Sequence, residues 1–460
     1  VCIRTEPAPA FLRYDFLHMI STIRKLTGLT VVAVALLLAG CRGAEPAPML
    51  QPERIQLRHL VLMLDGVPYA IVDSLRAAGH FGEFHAPSKV VSPFPSLTGP
   101  AFSAVWGMEP RDGYEDLYYD AATHRMRGGL LEHTFKPREA DDFHRLVDFQ
   151  AGGLEGGLAY LFPQPIAESE LRGLKRAVAK RALTDSVLVG YIVSTDALGH
   201  RAGRQALVDF ILDLERWVDE LRETSQSRIE VTLVSDHGND LIPTKMVDLE
   251  AGVRAAGLRP GRKIDDPKSV VLPAFGLVGS AFLYGSPESE ARLANVLRRL
   301  EGVDLTVFQD REGHVHVRSK RGDALIEARG GRYRYTAEVG DPLELLPIVD
   351  SLRKHNELDR DGFASDTAWL ARTVDTEFVD APRRIVRALR DQVKNPASVI
   401  VSLEPGYHFG SAAADFLVNV TGTHGSLRTT SSLAFLMSTR IRAPAVLRSD
   451  EVSAYLRIEP

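Results

Sequence analysis

Seven side chains able to bind metal or act as nucleophiles lie in five short pieces of the chain. Asp65 lies in VLMLDG (61–66), Thr98 in FPSLTGPAF (94–102), and Asp196 and His200 in STDALGH (194–200). Asp236 and His237 lie in SDHG (235–238), and His424 in GTHGS (422–426). Each piece contains glycine, and three follow an apolar run directly. Carboxylates, imidazoles and one hydroxyl could together close a two-metal site, which points to phosphoryl-type chemistry. The only cysteines are Cys2 and Cys41, so a disulfide scaffold and a cysteine-rich zinc module are excluded. Ions held by Asp and His would be zinc, manganese or magnesium.

Taken singly, the pieces leave alternatives open. Asp65-Gly66 is also an ordinary turn sequence. Thr98 precedes Pro100 and the apolar stretch AFSAVW, which places it at a helix start, where free N–H groups and the dipole stabilise negative charge. There it either caps the helix or serves as a metal-bound nucleophile. Ser96 is the rival nucleophile. Asp196 and His200 stand four apart, with Gly199 expected in a loop, and can chelate one ion. Adjacent residues on extended backbone point apart, so Asp236 and His237 both ligate only if the chain turns at Gly238. His408 reads as a structural histidine that could line the site. Tyr114, Tyr118 and Tyr119 could stack on a ring or simply pack. Arg125, Arg127 and Arg204 could bind phosphate or lie solvated.

The elements that must position these groups are legible as patterns. HLVLML ends at Asp65, SVLVGYIVS near Asp196 and RIEVTLVS at Asp236. Near-continuous apolar runs of this length predict buried parallel strands. Residues 205–222 carry Leu207, Phe210, Ile211, Leu214, Trp217, Val218 and Leu221 on one helical face. Strands alternating with helices predict an α/β fold with a doubly wound, mostly parallel sheet. Such sheets bind ligands at the carboxyl ends of their strands, where the three aspartates fall. The expected organisation is a core over 55–245, an inserted α+β cap over 246–395 and a return to the core over 396–460. The apolar run 397–407 (ASVIVSLEPGY) leads into the GTHGS loop.

At 460 residues the chain can bury a large core. Its net charge of −5 offers no footprint for nucleic acid. From Met19, Arg24 and Lys25 precede a short apolar stretch over 29–38, the pattern of a signal segment spanning 1–40. Leu38-Ala39-Gly40-Cys41 looks like a bacterial lipobox, which implies cleavage before Cys41 and lipidation of its thiol. Residues 41–54 read as a Pro-rich tether. The expected location is the cell envelope, lipid-anchored on the periplasmic face of the outer membrane, with the bilayer as partner.

In order along the chain, LDG, TGPAF…GMEP, TDALGH, SDHG and THG resemble the alkaline phosphatase superfamily, most closely its nucleotide pyrophosphatase/phosphodiesterase branch. The resemblance spans roughly 60–245 and 396–430. It implies an alkaline phosphatase-like core and two zinc ions, one held by Asp196, His200 and His424, the other by Asp65, Asp236 and His237. It implies Thr98 as the nucleophile on the second ion and hydrolysis of a small phosphoester through a phospho-threonine. That branch typically carries Thr-Phe-Pro-Asn where this chain has Thr98-Gly99-Pro100-Ala101. The change removes a polar donor and an apolar surface, leaving phosphomonoester or phosphonate hydrolysis on the same scaffold as alternatives. A ligand-binding lipoprotein without catalysis is the reading from another class.

Overall fold

A computed structural model of the chain describes residues 52–129 and 142–456. The signal segment, Cys41 and most of the tether lie outside the described residues. Pro52–Arg54, where the tether was expected to end, form one 3-10 turn. Among the described residues no helix is long and apolar enough to cross a membrane.

The first sheet has six strands: β1 (His59–Leu64), β2 (Ser88–Val91), β3 (Val187–Ile192), β4 (Glu230–Ser235), β5 (Leu433–Ser438) and β6 (Val446–Arg448). Their order is β6-β2-β5-β4-β1-β3. β3 and β4 flank β1 in parallel, and β6 runs parallel to β2. β5 alone runs antiparallel to its neighbours. The mostly parallel sheet expected of the sequence is therefore what the chain forms.

Both faces of this sheet are covered, which is why its strands read as unbroken apolar runs. Side chains alternate between faces along a strand. Leu60, Leu62 and Leu64 point into a core shared with Leu188, Val231 and Leu233, and with helices α2 (Pro163–Arg181) and α4 (Gly203–Thr224). The stripe expected over 205–222 is that packed face of α4, from Leu207 to Leu221. Val61 and Met63 point the other way, onto Phe102 and Val105 of helix α1 (Thr98–Val105).

A second sheet of seven strands is wholly antiparallel. In order its strands are 280–283, 399–403, 303–309, 315–319, 322–329, 332–340 and 364–365. Helix α5 (Ala381–Arg390) buries Ile385, Val386 and Leu389 in its core. Val399–Leu403, at the start of the stretch expected as the return to the core, pairs with Ser280–Leu283 and Val303–Gln309. The chain re-enters the first sheet only at Leu433. A five-residue apolar run looks the same at the centre of either sheet, so pattern alone could not assign it.

Candidate metal centre

Strand register brings the carboxylates together. Leu64 of β1 is level with Ser235 of β4 and Ile192 of β3, so Asp65 and Asp236 leave adjacent strands side by side. Gly66 then turns away with φ +63°, and its N–H donates to Asp236 Oδ1 at 3.1 Å. A Cβ at Gly66 would stand 2.5 Å from Asp196 Oδ1, so only glycine fits there. The segment after β3 is helix α3 (Ser194–Arg201), not the loop expected around Gly199. A helical turn puts i and i+4 on one face, and Asp196 Oδ2 stands 3.4 Å from His200 Nε2. Gly238 also serves differently from expectation. Its φ is not left-handed, but a Cβ there would meet the Thr430 carbonyl at 2.1 Å. Its requirement is for space rather than for a turn.

The six Asp and His side chains are buried and fall into two triads, Asp196/His200/His424 and Asp65/Asp236/His237. Within each triad the ligand atoms lie within 4.8 Å of one another. His237 Nε2 stands 3.2 Å from Asp236 Oδ2 and 3.5 Å from Asp65 Oδ1. The His237 and His424 rings stack at 3.7 Å, which joins the two triads. His237 Nδ1 donates to the Gly238 carbonyl and His424 Nδ1 to the Ser96 carbonyl, each at 2.8 Å. A carbonyl only accepts, so both rings carry their proton on Nδ1 when neutral. Nε2 is then left as a lone-pair donor facing the site, the arrangement metal-bound histidines adopt.

Two observations test the fit to metal ions. Asp196 Oδ1 and Asp236 Oδ2 are buried without any hydrogen-bond donor, although buried carboxylate oxygens ordinarily find one. The charges are also unbalanced within the chain. Burial raises Asp65 and lifts Asp236 well above the usual carboxylate range. Burial opposes ionisation of Asp196 too, but His200 and His424 hold it below its ordinary value. His237 is pushed up to about 10, its burial being outweighed by Asp236 and Asp65. Burial and the neighbouring His237 push His424 well below its ordinary value, so its imidazole stays neutral, and a buried donor set of three carboxylates and three Nε2 atoms suits two divalent cations.

Thr98 opens α1, but Leu97 occupies the N-cap position and no side chain caps the helix. The Thr98 hydroxyl instead donates to Asp65 Oδ1 at 3.1 Å and lies 3.2 Å from His237 Nε2. Ser96 faces away from the triads. Its hydroxyl is fully buried, donates to the Pro93 carbonyl and accepts from Arg384. Ala101 is fully buried inside α1. Gly99 is the open position. A Cβ there would meet Arg111 Nη1 at 2.4 Å, so the missing side chain lets a guanidinium lie against the helix start.

Sequence reasoning missed two tyrosines. Tyr191, in β3, donates to Asp65 Oδ2, and Tyr160 donates to Asp196 Oδ2 at 2.7 Å. No local pattern marks either, because both reach the site across the fold. The secondary candidates fall elsewhere. His408 bonds Thr244 and Asp415. Tyr114 stacks on Phe282 in the second core, and Tyr119 is buried there too. Tyr118 donates to Asp112, Arg127 pairs with Asp120, and Arg125 and Arg204 are exposed.

Fold and site together define a mostly parallel α/β sheet whose strand ends gather two joined Asp/His triads. No protein-family model and no curated protein sequence matches the chain. Among solved structures it is similar to human ectonucleotide pyrophosphatase/phosphodiesterase 5, at 11% identity and TM-score 0.49, over 87% of this chain and 93% of that one. It is also similar to phosphonoacetate hydrolase from Sinorhizobium meliloti 1021, at 13% identity and TM-score 0.42, over 89% of this chain and 96% of that one. Murine ectonucleotide pyrophosphatase/phosphodiesterase 5 gives 12% identity and TM-score 0.46, with coverage of 87% and 94%.

Proposed function

We propose that the protein is a metal-dependent phosphoester hydrolase, acting on phosphodiesters through a phospho-threonine at a two-zinc site. The observation that carries this reading is the pair of buried triads with the Thr98 hydroxyl bonded to one of them. Asp196, His200 and His424 would hold one ion, and Asp65, Asp236 and His237 the other. Bound there, the ions supply Lewis acidity and offset the charge of the three carboxylates and a Thr98 alkoxide. The Thr98 hydroxyl gives up its proton to water, Oγ1 attacks phosphorus, the bond to the leaving oxygen breaks with that oxygen taking a proton from water, and a phospho-threonine remains. Water then attacks phosphorus, the Thr98 Oγ1 bond breaks, and phosphate or a phosphomonoester leaves. The free N–H groups at the start of α1 face the charge that gathers on the phosphoryl oxygens. Tyr160 and Tyr191 hold Asp196 and Asp65 by their second oxygens, which fixes the carboxylate planes. Arg111 lies beside Gly99 with Nη2 paired to Asp116 Oδ1 at 3.0 Å, and its other donors could bind a phosphoryl oxygen or an anionic leaving group.

The test is direct. The purified protein is expected to bind two zinc ions and to turn over bis-p-nitrophenyl phosphate faster than p-nitrophenyl phosphate. Faster turnover of the monoester, or of a phosphonate, would move the assignment to the alternative reactions. No bound metal and no turnover of any of the three would remove the enzyme reading. The lipobox at Leu38–Cys41 supports a lipid anchor, which would hold the enzyme on the periplasmic face of the outer membrane.

A further inference from the structure

Arg384 of α5 is a buried guanidinium whose hydrogen bonds all go to neutral oxygens. Nη1 donates to the carbonyls of Val379 at 3.1 Å and Leu427 at 3.3 Å. Nη2 donates to the Pro93 carbonyl at 3.4 Å, Ser96 Oγ at 3.1 Å and Ser432 Oγ at 2.6 Å. Burial pulls the group down to about 9, against the pull of Asp380, so it stays charged at neutral pH. A charge so far from water is costly unless its donors are well used. Here Nη1 and Nη2 are used to join two segments, while Nε is buried without a partner.

Those segments are the ones that frame the site. Pro93 and Ser96 precede Thr98. Leu427 and Ser432 follow His424. The two segments also meet where His424 Nδ1 donates to the Ser96 carbonyl. Asp65 and Asp236 leave the ends of β1 and β4 directly, and His237 Nδ1 rests on its neighbour Gly238, whose own N–H donates to the Ser431 carbonyl at 2.9 Å, a less direct tie to the second segment.

We propose that Arg384 is a positioning residue, whose fork clamps loop 93–96 to loop 427–432 and so holds the Ser96 carbonyl that orients the His424 ring. This rests on the two-ion reading above. The consequence is graded: Arg384 tunes the ion held by Asp196, His200 and His424, whose His424 ring rests directly on the Ser96 carbonyl, more than the other. Lysine keeps the charge but is a point donor that cannot span two loops, so Arg384→Lys separates clamp from charge.

The experiment titrates cobalt(II) into the metal-free full chain and follows both binding steps by visible absorption. His424→Ala identifies which step belongs to its triad. In Arg384→Lys that step is expected to weaken about 10- to 100-fold, the usual effect of losing an outer partner of a ligand, with the other step weakened clearly less. Ser96→Ala removes one arm of the clamp while leaving the carbonyl, and is expected to weaken the same step by less than Arg384→Lys does, about 10-fold or below. If Arg384→Lys does not fold, Ser96→Ala and Ser432→Ala decide the matter. Unchanged constants, or equal weakening of both steps, overturn the proposal while the two-ion reading stands. A wild-type chain that takes up no cobalt overturns both.

Discussion

Thr98 and Ser96 are two residues apart, yet they face different chemistry. The Thr98 hydroxyl meets Asp65 and His237, while that of Ser96 is locked between Pro93 and Arg384. Thr98→Ala is therefore expected to lower kcat by at least about 1,000-fold with the fold intact, the scale of losing a nucleophile. Ser96→Ala should keep most of its activity at saturating metal. Steady-state kinetics on both variants check this, and full activity in Thr98→Ala would end its role. Gly66 gives a second prediction. Its left-handed φ and its approach to Asp196 leave no room for a methyl group. Gly66→Ala should cost at least about 1 kcal/mol in backbone strain alone and displace Asp196 as well. Denaturant melts and bound-metal content read the two effects separately.

Helix α3 carries Asp196 and His200, and its start is held from outside. Glu170 of α2 accepts from the free backbone N–H of Val193 at 3.3 Å and of Ser194 at 3.0 Å. Such groups at a helix start otherwise lack partners. Burial raises Glu170 to about 7, against those hydrogen bonds. The folded value lies above the unfolded one, near 4.5. The stabilisation is thus complete below pH about 4.5 and is lost as pH rises through about 7. The full difference is at most about 3 kcal/mol. The melting temperature should fall between pH 5 and 8, and Glu170→Gln should flatten that slope. An identical slope in both proteins would show that Glu170 does not titrate in this range.

Across the whole molecule, the centre is where the first sheet, α1 and α3 meet the loops tied to α5. Ions bound only by the folded chain stabilise it by mass action, about 4 kcal/mol for each ion present at a thousand times its Kd. Chelation should therefore lower the melting temperature, and restoring zinc should return it. A melt indifferent to chelator would contradict the two-ion reading. The lipid anchor is tested separately. Labelled fatty acid should enter the wild-type chain in its host and be lost in Cys41→Ser, with no change in the activity of the extracted protein.

The types of the seven candidate residues and the strand ends that carry Asp65 and Asp236 were readable in the sequence, whereas Asp196, expected at a strand end, sits in helix α3. So was the mostly parallel sheet, because covering it on both faces forces continuous apolar runs such as HLVLML. Those are local facts: side-chain chemistry, period and neighbouring glycine. What only the tertiary structure decided depends on contacts between segments far apart in the chain. It placed Gly199 in a helix and showed Gly238 to be a matter of space against Thr430. It gave Val399–Leu403 to the second sheet. It aimed Tyr160 and Tyr191 at the triads and bonded the Ser96 hydroxyl to Pro93 and Arg384. No periodicity encodes which distant chain fills the space beside a residue, and that neighbour sets whether a hydroxyl is a nucleophile or a strut.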